Sequence, residues 1–376
     1  MKKLFISITI CLFFIFLTTS CKKEQQNNRV KTKAQTTTPL KYAKGFEIIH
    51  YKNSKKLIVK APYLNTNDVF EFTHSSKKSA NKNHIQIPAK SIVVTSTTHI
   101  PMLELLGVEN TLIGYPNTNY ISSKKTRKLI DNGFVKELGN EENINTESLM
   151  ELQPSLVIGF TLNSNNKMFA NIEKLGIPVV LNGDWLEQTP LGRAEWIKFF
   201  GVLFNKEKQA DSIFNSIEKN YIEAKLIAKK SIKQPTIISG GLFKDIWNLP
   251  AGDSFEATFL KDANTNYLWK ESKGMGSLSL NIENVFEKGK EAEIWISPSF
   301  HKSLTEIRKA NDIYAQFEAF KNQQVYSFIN KKGTKGGIIY FEIAPARPDL
   351  VLKDLIKIAH PNLMKDYKFT FFERLK

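Results

Sequence analysis

Aromatic, hydroxyl and basic side chains recur at one kind of position in this sequence, just past short apolar runs. Thr98 and His99 follow Ile92-Val93-Val94-Thr95, Tyr115 follows Thr111-Leu112-Ile113-Gly114, and Trp185 follows Pro178-Val179-Val180-Leu181. Arg193 stands a few residues beyond Trp185. Trp247 comes after Thr236-Ile237-Ile238-Ser239, and Tyr340 and Arg347 lie past Val325-Tyr326-Ser327-Phe328. Trp and Tyr give large apolar contact with a polar handle, and Arg offers a planar, bidentate clamp for anions. The combination suits a bulky, partly aromatic, anionic ligand better than a bare ion or a small sugar. Core packing competes with this role for every aromatic, and pairing with Glu195 or capping of loop carbonyls competes with it for Arg193.

Other chemistries find less support. The sequence has no GxxxxGK[ST] loop, no GxGxxG after a strand, no GxSxG elbow and no HExxH. A periplasmic enzyme acting on a small anionic substrate is the alternative of another class, and it lacks a nucleophile–base pair at recognisable spacing. Six histidines are scattered along the chain; His99 and His301 alone follow strand-like runs at equivalent places in the two βα regions. Capture of a bare metal ion needs several such ligands with a carboxylate. It is a further alternative, centred on His99, and a protein that binds only partner proteins is another.

The elements that position these residues can be read from periodicity. Residues 41–87 hold short alternating strands, Phe46–Ile49, Lys56–Lys60 and Val69–Phe72, read as a β-hairpin extension. From Ser91 onward, buried-type strands alternate with helical stretches ended by Gly107, Pro154 and Gly176, which implies βα units around a mostly parallel sheet. Lys206–Lys230 lacks Gly and Pro and places Ala210, Ile213, Phe214, Ile217, Tyr221, Ala224 and Ala228 on one face. This predicts a single long helix, roughly 35 Å at 1.5 Å per residue. Beyond it the βα rhythm returns. The expected fold class is α/β: an extension over 41–87, a first lobe over 88–202, a joining helix over 203–231 and a second lobe over 232–376. A ligand cleft is expected between the lobes, off the carboxyl ends of their strands.

Composition agrees with a folded chain. Of 376 residues, 41% are hydrophobic and 26 are Phe, which excludes global disorder. The net charge of +16 is mixed along the chain, with no basic block of the kind nucleic-acid binding needs. Residues 1–20 read as a secretory signal: Lys2-Lys3, then an apolar run from Leu4 to Leu17, short of the roughly 20 residues a spanning helix requires. Leu17-Thr18-Thr19-Ser20-Cys21 resembles a bacterial lipobox, which makes Cys21 the lipidated first residue of the mature chain. Of the two cysteines, Cys11 lies inside the signal, so cleavage before Cys21 precludes an internal disulfide. Residues 21–40 are polar and read as a flexible tether. The protein is thus expected on a membrane surface outside the cytoplasm, as a monomer, with no nucleic-acid partner and no cofactor of its own.

Several segments carry a family resemblance covering about residues 88–372. Asn145-Thr146-Glu147-Ser148-Leu149 running to Pro154-Ser155-Leu156-Val157 resembles a signature segment of the helical-backbone (class III) periplasmic binding proteins of ABC importers. Leu280-Asn281-Ile282-Glu283-Asn284-Val285 is similar to its second-lobe counterpart, and Gly176-Ile177-Pro178-Val179-Val180 to a strand start of that family. Asp262-Ala263-Asn264 resembles a helix end of the family but departs from it where Gly would stand. Asp184-Trp185 with Pro190–Trp196, and Phe341-Glu342 with Arg347–Leu352, resemble a lipoprotein subgroup of Bacteroidetes type. The resemblance implies a carrier that captures a ferric siderophore, or else a corrinoid such as cobalamin or haem, and delivers it to a membrane permease dimer. It implies that Glu147 and Glu283 dock onto permease arginines, one from each lobe. It also implies that the long helix allows only small lobe movements.

Overall fold

The computed structural model describes residues 36–60, 62–64, 66, 69–75, 83–140, 143–164 and 166–376. The signal segment and Cys21 lie outside the described residues. Each lobe is built on one five-stranded sheet. In the first, Val179–Leu181, Leu156–Gly159, Ile92–Val94, Leu112–Tyr115 and Lys136–Glu137 lie side by side in that order, all parallel. Ile92, Val94, Leu156, Ile158 and Val180 enter one core, while Val93, Val157 and Val179 enter another on the opposite face. Period-two side-chain alternation in a strand buried on both faces produces this division, and explains runs with no polar member.

The second lobe orders Asn266–Tyr267, Thr236–Ser239, Ile294–Ile296, Val325–Ser327 and Glu373–Arg374, with only the last strand antiparallel. In both sheets the strand order reverses beside the lobe's first strand. Those reversals lie between Ile92–Val94 and Leu156–Gly159, and between Thr236–Ser239 and Ile294–Ile296. Such switch points leave a crevice at the carboxyl ends of the strands.

The joining helix runs Glu207–Ala228, 22 residues or about 33 Å. Its single buried stripe serves two cores. Ala210, Phe214 and Ile217 sit in the first-lobe core, and Tyr221, Ala224 and Ala228 in the second. Tyr221 donates to Asp262 at 2.8 Å, and Lys225 pairs with the same carboxylate at 2.6 Å, which pins the helix to the second lobe. Asn264, at φ 58°, adopts the left-handed conformation that a glycine would take after a helix; its amide donates to the carbonyls of Ala228, which ends the joining helix, and Ser231 just beyond it.

Two expectations need correction. The extension is a five-stranded sheet rather than a hairpin: Thr36–Thr37, Phe46–His50, Lys55–Lys60, Val69–Ser75 and His84–Gln86 pair in sequence order. Its Phe46 packs on Trp196 and Phe199, at centroid distances of 4.6 and 6.1 Å, so it belongs to the first-lobe core. Thr36 and Thr37, expected within the tether, pair instead with His50 and Ile49. Glu195, with no exposed surface, accepts backbone N–H groups from Lys41, Tyr42 and Ala43, and Glu187 accepts those of Lys44 and Gly45. Two buried carboxylates thereby strap residues 41–45 to the first lobe.

Candidate functional site

Two cavities, of about 320 and 340 Å³, share Glu256, Phe259, Tyr340 and Phe341 as their common wall; among the described residues, the first is lined from both lobes and the second from the second lobe alone. The first lies at the switch point of the first sheet. Ser96, Thr97 and Thr98 follow the strand Ile92–Val94, and Phe160 follows Leu156–Gly159. Asp184 and Trp185 come from the short turn after Val179–Leu181, and Arg193 from the helix Pro190–Glu195. The second cavity lies at the switch point of the second sheet, where Ser239 and Gly240 meet Ser297 and Ser299. Ser297 and Ser299 hold φ values of 54° and 55°, backbone strain of the kind found where a chain must present itself to a ligand.

Arg193 links the two lobes. Its Nη2 donates to the carbonyl of Trp185 at 2.7 Å and its Nε to that of Glu187 at 3.3 Å, while the guanidinium lies 3.4 Å from the centre of the Phe255 ring across the cleft. It therefore caps loop carbonyls and lines the site at once, and Glu195 is engaged elsewhere. Trp185 meets Phe160 edge-on at 5.7 Å, and among the described residues its buried indole N–H has no hydrogen-bond partner. Tyr340 stacks on Phe328 at 4.1 Å and 11°. Thr98 shares a 2.9 Å hydrogen bond with Ser96 through the hydroxyls. Burial pushes the Asp184 carboxyl up to about 6, against the attraction of Arg193 and a hydrogen bond from Thr98. Burial also raises Glu256, again against Arg193.

Thr98, Trp185, Arg193 and Tyr340 thus meet at one site. The other four expected ligand residues do not. His99 begins the helix His99–Leu105 and is fully buried against Phe200 at 5.5 Å. Burial alone lowers its imidazole to about 3, so the ring is a neutral core group, and it lines neither cavity. Tyr115 ends its strand inside the first core with no exposed surface. Trp247 lies on an unforeseen strand, Ile246–Pro250, within a three-stranded antiparallel sheet formed with Gly241–Phe243 and Ser277–Leu280. Alternation turns Trp247 and Leu249 inward, where Trp247 stacks on Trp295 at 5.4 Å and donates to the Ser239 carbonyl. Arg347 holds Asp349 through two bonds of 2.9 and 2.8 Å and lines neither cavity. Glu256 and Phe255 escaped sequence reading because they open a helix; the signal was Ser254, whose side chain caps that helix at the cleft.

Glu147 and Glu283 are both exposed, each in the first turn of a helix whose Asn cap, Asn145 or Asn281, accepts the backbone N–H three residues on. The two lobes present the same local device. Among the described residues, no group of three or more His, Cys, Asp or Glu side chains is placed to hold a metal ion, and no helix is long and apolar enough to cross a membrane.

The chain resembles known proteins along nearly all its length. The model of the periplasmic binding protein family matches residues 92–330. An uncharacterized lipoprotein of Methanocaldococcus jannaschii is 25% identical over 411 aligned positions, covering 99% of this chain and 96% of that one. A possible iron-binding (periplasmic solute-binding) protein of Staphylococcus epidermidis superposes with a TM-score of 0.57 at 19% identity, over 73% of this chain and 99% of that one. The periplasmic haem-binding protein of Vibrio cholerae gives 0.55 at 15% identity, over 70% and 99%. At these identities the solved structures speak for the fold alone.

Proposed function

We propose a function from one premise: the chain belongs to the periplasmic binding protein family. Membership makes it a substrate-binding component of an ABC importer, with a small-molecule ligand and a permease partner, and not an enzyme. The ligand is a bulky chelate: a ferric siderophore first, with a corrinoid or haem as the alternatives. The observation that carries this reading is the pair of adjoining cavities at the two switch points, walled by aromatic side chains and reached by residues of both lobes. A bare ion or a small sugar would leave most of that wall uncovered. Trp185 and Tyr340 pack the ligand from opposite lobes, and Thr98 and Arg193 offer it polar contacts. Two of the structurally similar proteins are described as iron-binding and haem-binding, which is consistent with this class.

Glu147 and Glu283 are the docking carboxylates for the permease; exposed charges of this kind steer and orient an encounter more than they add affinity. The carrier is monomeric and held at the outer side of a membrane through a lipid on Cys21, in keeping with the lipoprotein description of its archaeal relative.

Tryptophan fluorescence tests the proposal. Of the five tryptophans, Trp185 alone borders either cavity, and an absorbing chelate bound there also quenches the buried ones by energy transfer. Saturable sub-micromolar quenching by a ferric chelate, cobalamin or haem is expected, with the midpoint shifted at least tenfold to higher ligand in Trp185→Ala. A midpoint unchanged in Trp185→Ala would move the ligand elsewhere.

A further inference from the structure

The charges that line the cleft do not match an anionic ligand. Among the described residues, the charged side chains lining the two cavities are Asp184, Glu256 and Arg193, two carboxyls to one cation. The cation is largely engaged already. The Nε–Nη2 edge of Arg193, one of two that can grip an anion in bidentate fashion, is occupied by the carbonyls of Trp185 and Glu187, and the ring of Phe255 covers one face. Arg347, the second clamp an anionic ligand would want, is bound to Asp349 and faces neither cavity. Among the described residues, the second cavity offers only Glu256 as a charged group, beside Phe243, Phe259, Phe300, Phe328 and Phe341. Aromatic faces attract cations and apolar groups, not anions. Burial holds both cleft carboxyls above the ordinary range, and the attraction of Arg193 does not offset it.

We infer that the cleft selects a ligand without net negative charge: a neutral or cationic bulky chelate with an apolar or aromatic periphery, its electropositive or proton-donating part turned toward Asp184 and Glu256. This rests on the reading of the cleft as the chelate site, and it narrows the class. The chain's net charge of +16 does not oppose it. Surface charge is screened beyond about 8–10 Å at physiological salt, so it acts on approach, whereas the carboxyls act at contact.

A panel of probes of graded charge tests the inference, with the full protein in 150 mM salt: a neutral iron(III) trihydroxamate, a trianionic iron(III) tricatecholate, neutral cyanocobalamin and haemin with its propionates. The neutral probe of the preferred shape should bind at least 100-fold more tightly than the trianionic chelate. Asp184→Asn with Glu256→Gln should narrow that gap tenfold or more. Trianionic chelate bound as tightly as the neutral one would overturn the charge inference and leave the chelate reading standing. Binding of no probe at all would overturn the chelate reading, and the inference with it. The comparison of probes on the parent protein decides the matter even if the double variant does not fold.

Discussion

At the scale of single residues, Asp184 is the most informative group in the site. Its carboxyl has 4% exposure and sits at about 6 against an ordinary 3.8. A carboxyl raised on folding destabilises the fold where it is ionised. That cost is nearly absent below about pH 4, grows between pH 4 and 6, and is complete above. Asp184→Asn should therefore stabilise the protein by on the order of 2 kcal/mol at pH 7.5 and by clearly less at pH 4.5, read as the difference in melting temperature from the parent at each pH. Arg347 makes the opposite case. Asp349 has no exposed surface and depends on it, so Arg347→Ala should cost about 1–3 kcal/mol in denaturant unfolding while ligand affinity stays within twofold. Arg193 and Arg347 look alike in sequence, each beyond a strand and near an acid. What separates them is that Arg347 turns back onto Asp349 two residues on, whereas Glu195 beside Arg193 is taken by the backbone of residues 41–43, a tertiary fact that spacing does not carry.

At the scale of elements, period and punctuation made the parallel strands and the joining helix legible. Ile92–Val94 and Leu156–Gly159 are apolar on both faces, and the helix keeps one stripe from Ala210 to Ala228. The strand Ile246–Pro250 was hidden because Gly240 and Gly241 look like a loop and Trp247 like a ligand contact. Gly240, at φ 78°, instead leads into the hairpin's first strand at the hairpin's base, where an added Cβ would lie 1.8 Å from the Asn248 carbonyl oxygen. The strap over residues 41–45 was equally invisible, because its acids are about 150 residues away in sequence. Glu195→Ala strips three backbone N–H groups of their acceptor in a buried setting. It should cost at least about 2 kcal/mol and speed hydrogen exchange at residues 41–43 while leaving the cleft's exchange unchanged.

At the scale of the whole molecule, two sheets with matching switch points face one ligand space, and one helix lends its ends to both cores. The lobes also meet directly. Buried Glu342 of the second accepts the backbone N–H groups of Ser122 and Ser123 and the Ser122 hydroxyl of the first. A shared helix and a buried contact of this kind favour small lobe shifts over a wide hinge. The paired Asn-capped turns carrying Glu147 and Glu283 stand apart from the cavity walls. Glu147→Arg with Glu283→Arg should accordingly leave ligand affinity within twofold and abolish uptake through the permease, measured with radiolabelled ligand. The central claim is that the ligand is gripped from both lobes at once. Isothermal titration of the tightest-binding chelate against the parent, Trp185→Ala and Tyr340→Ala tests it most directly. The account predicts that each variant, though on opposite lobes, weakens binding at least tenfold; affinity unchanged in both would contradict it.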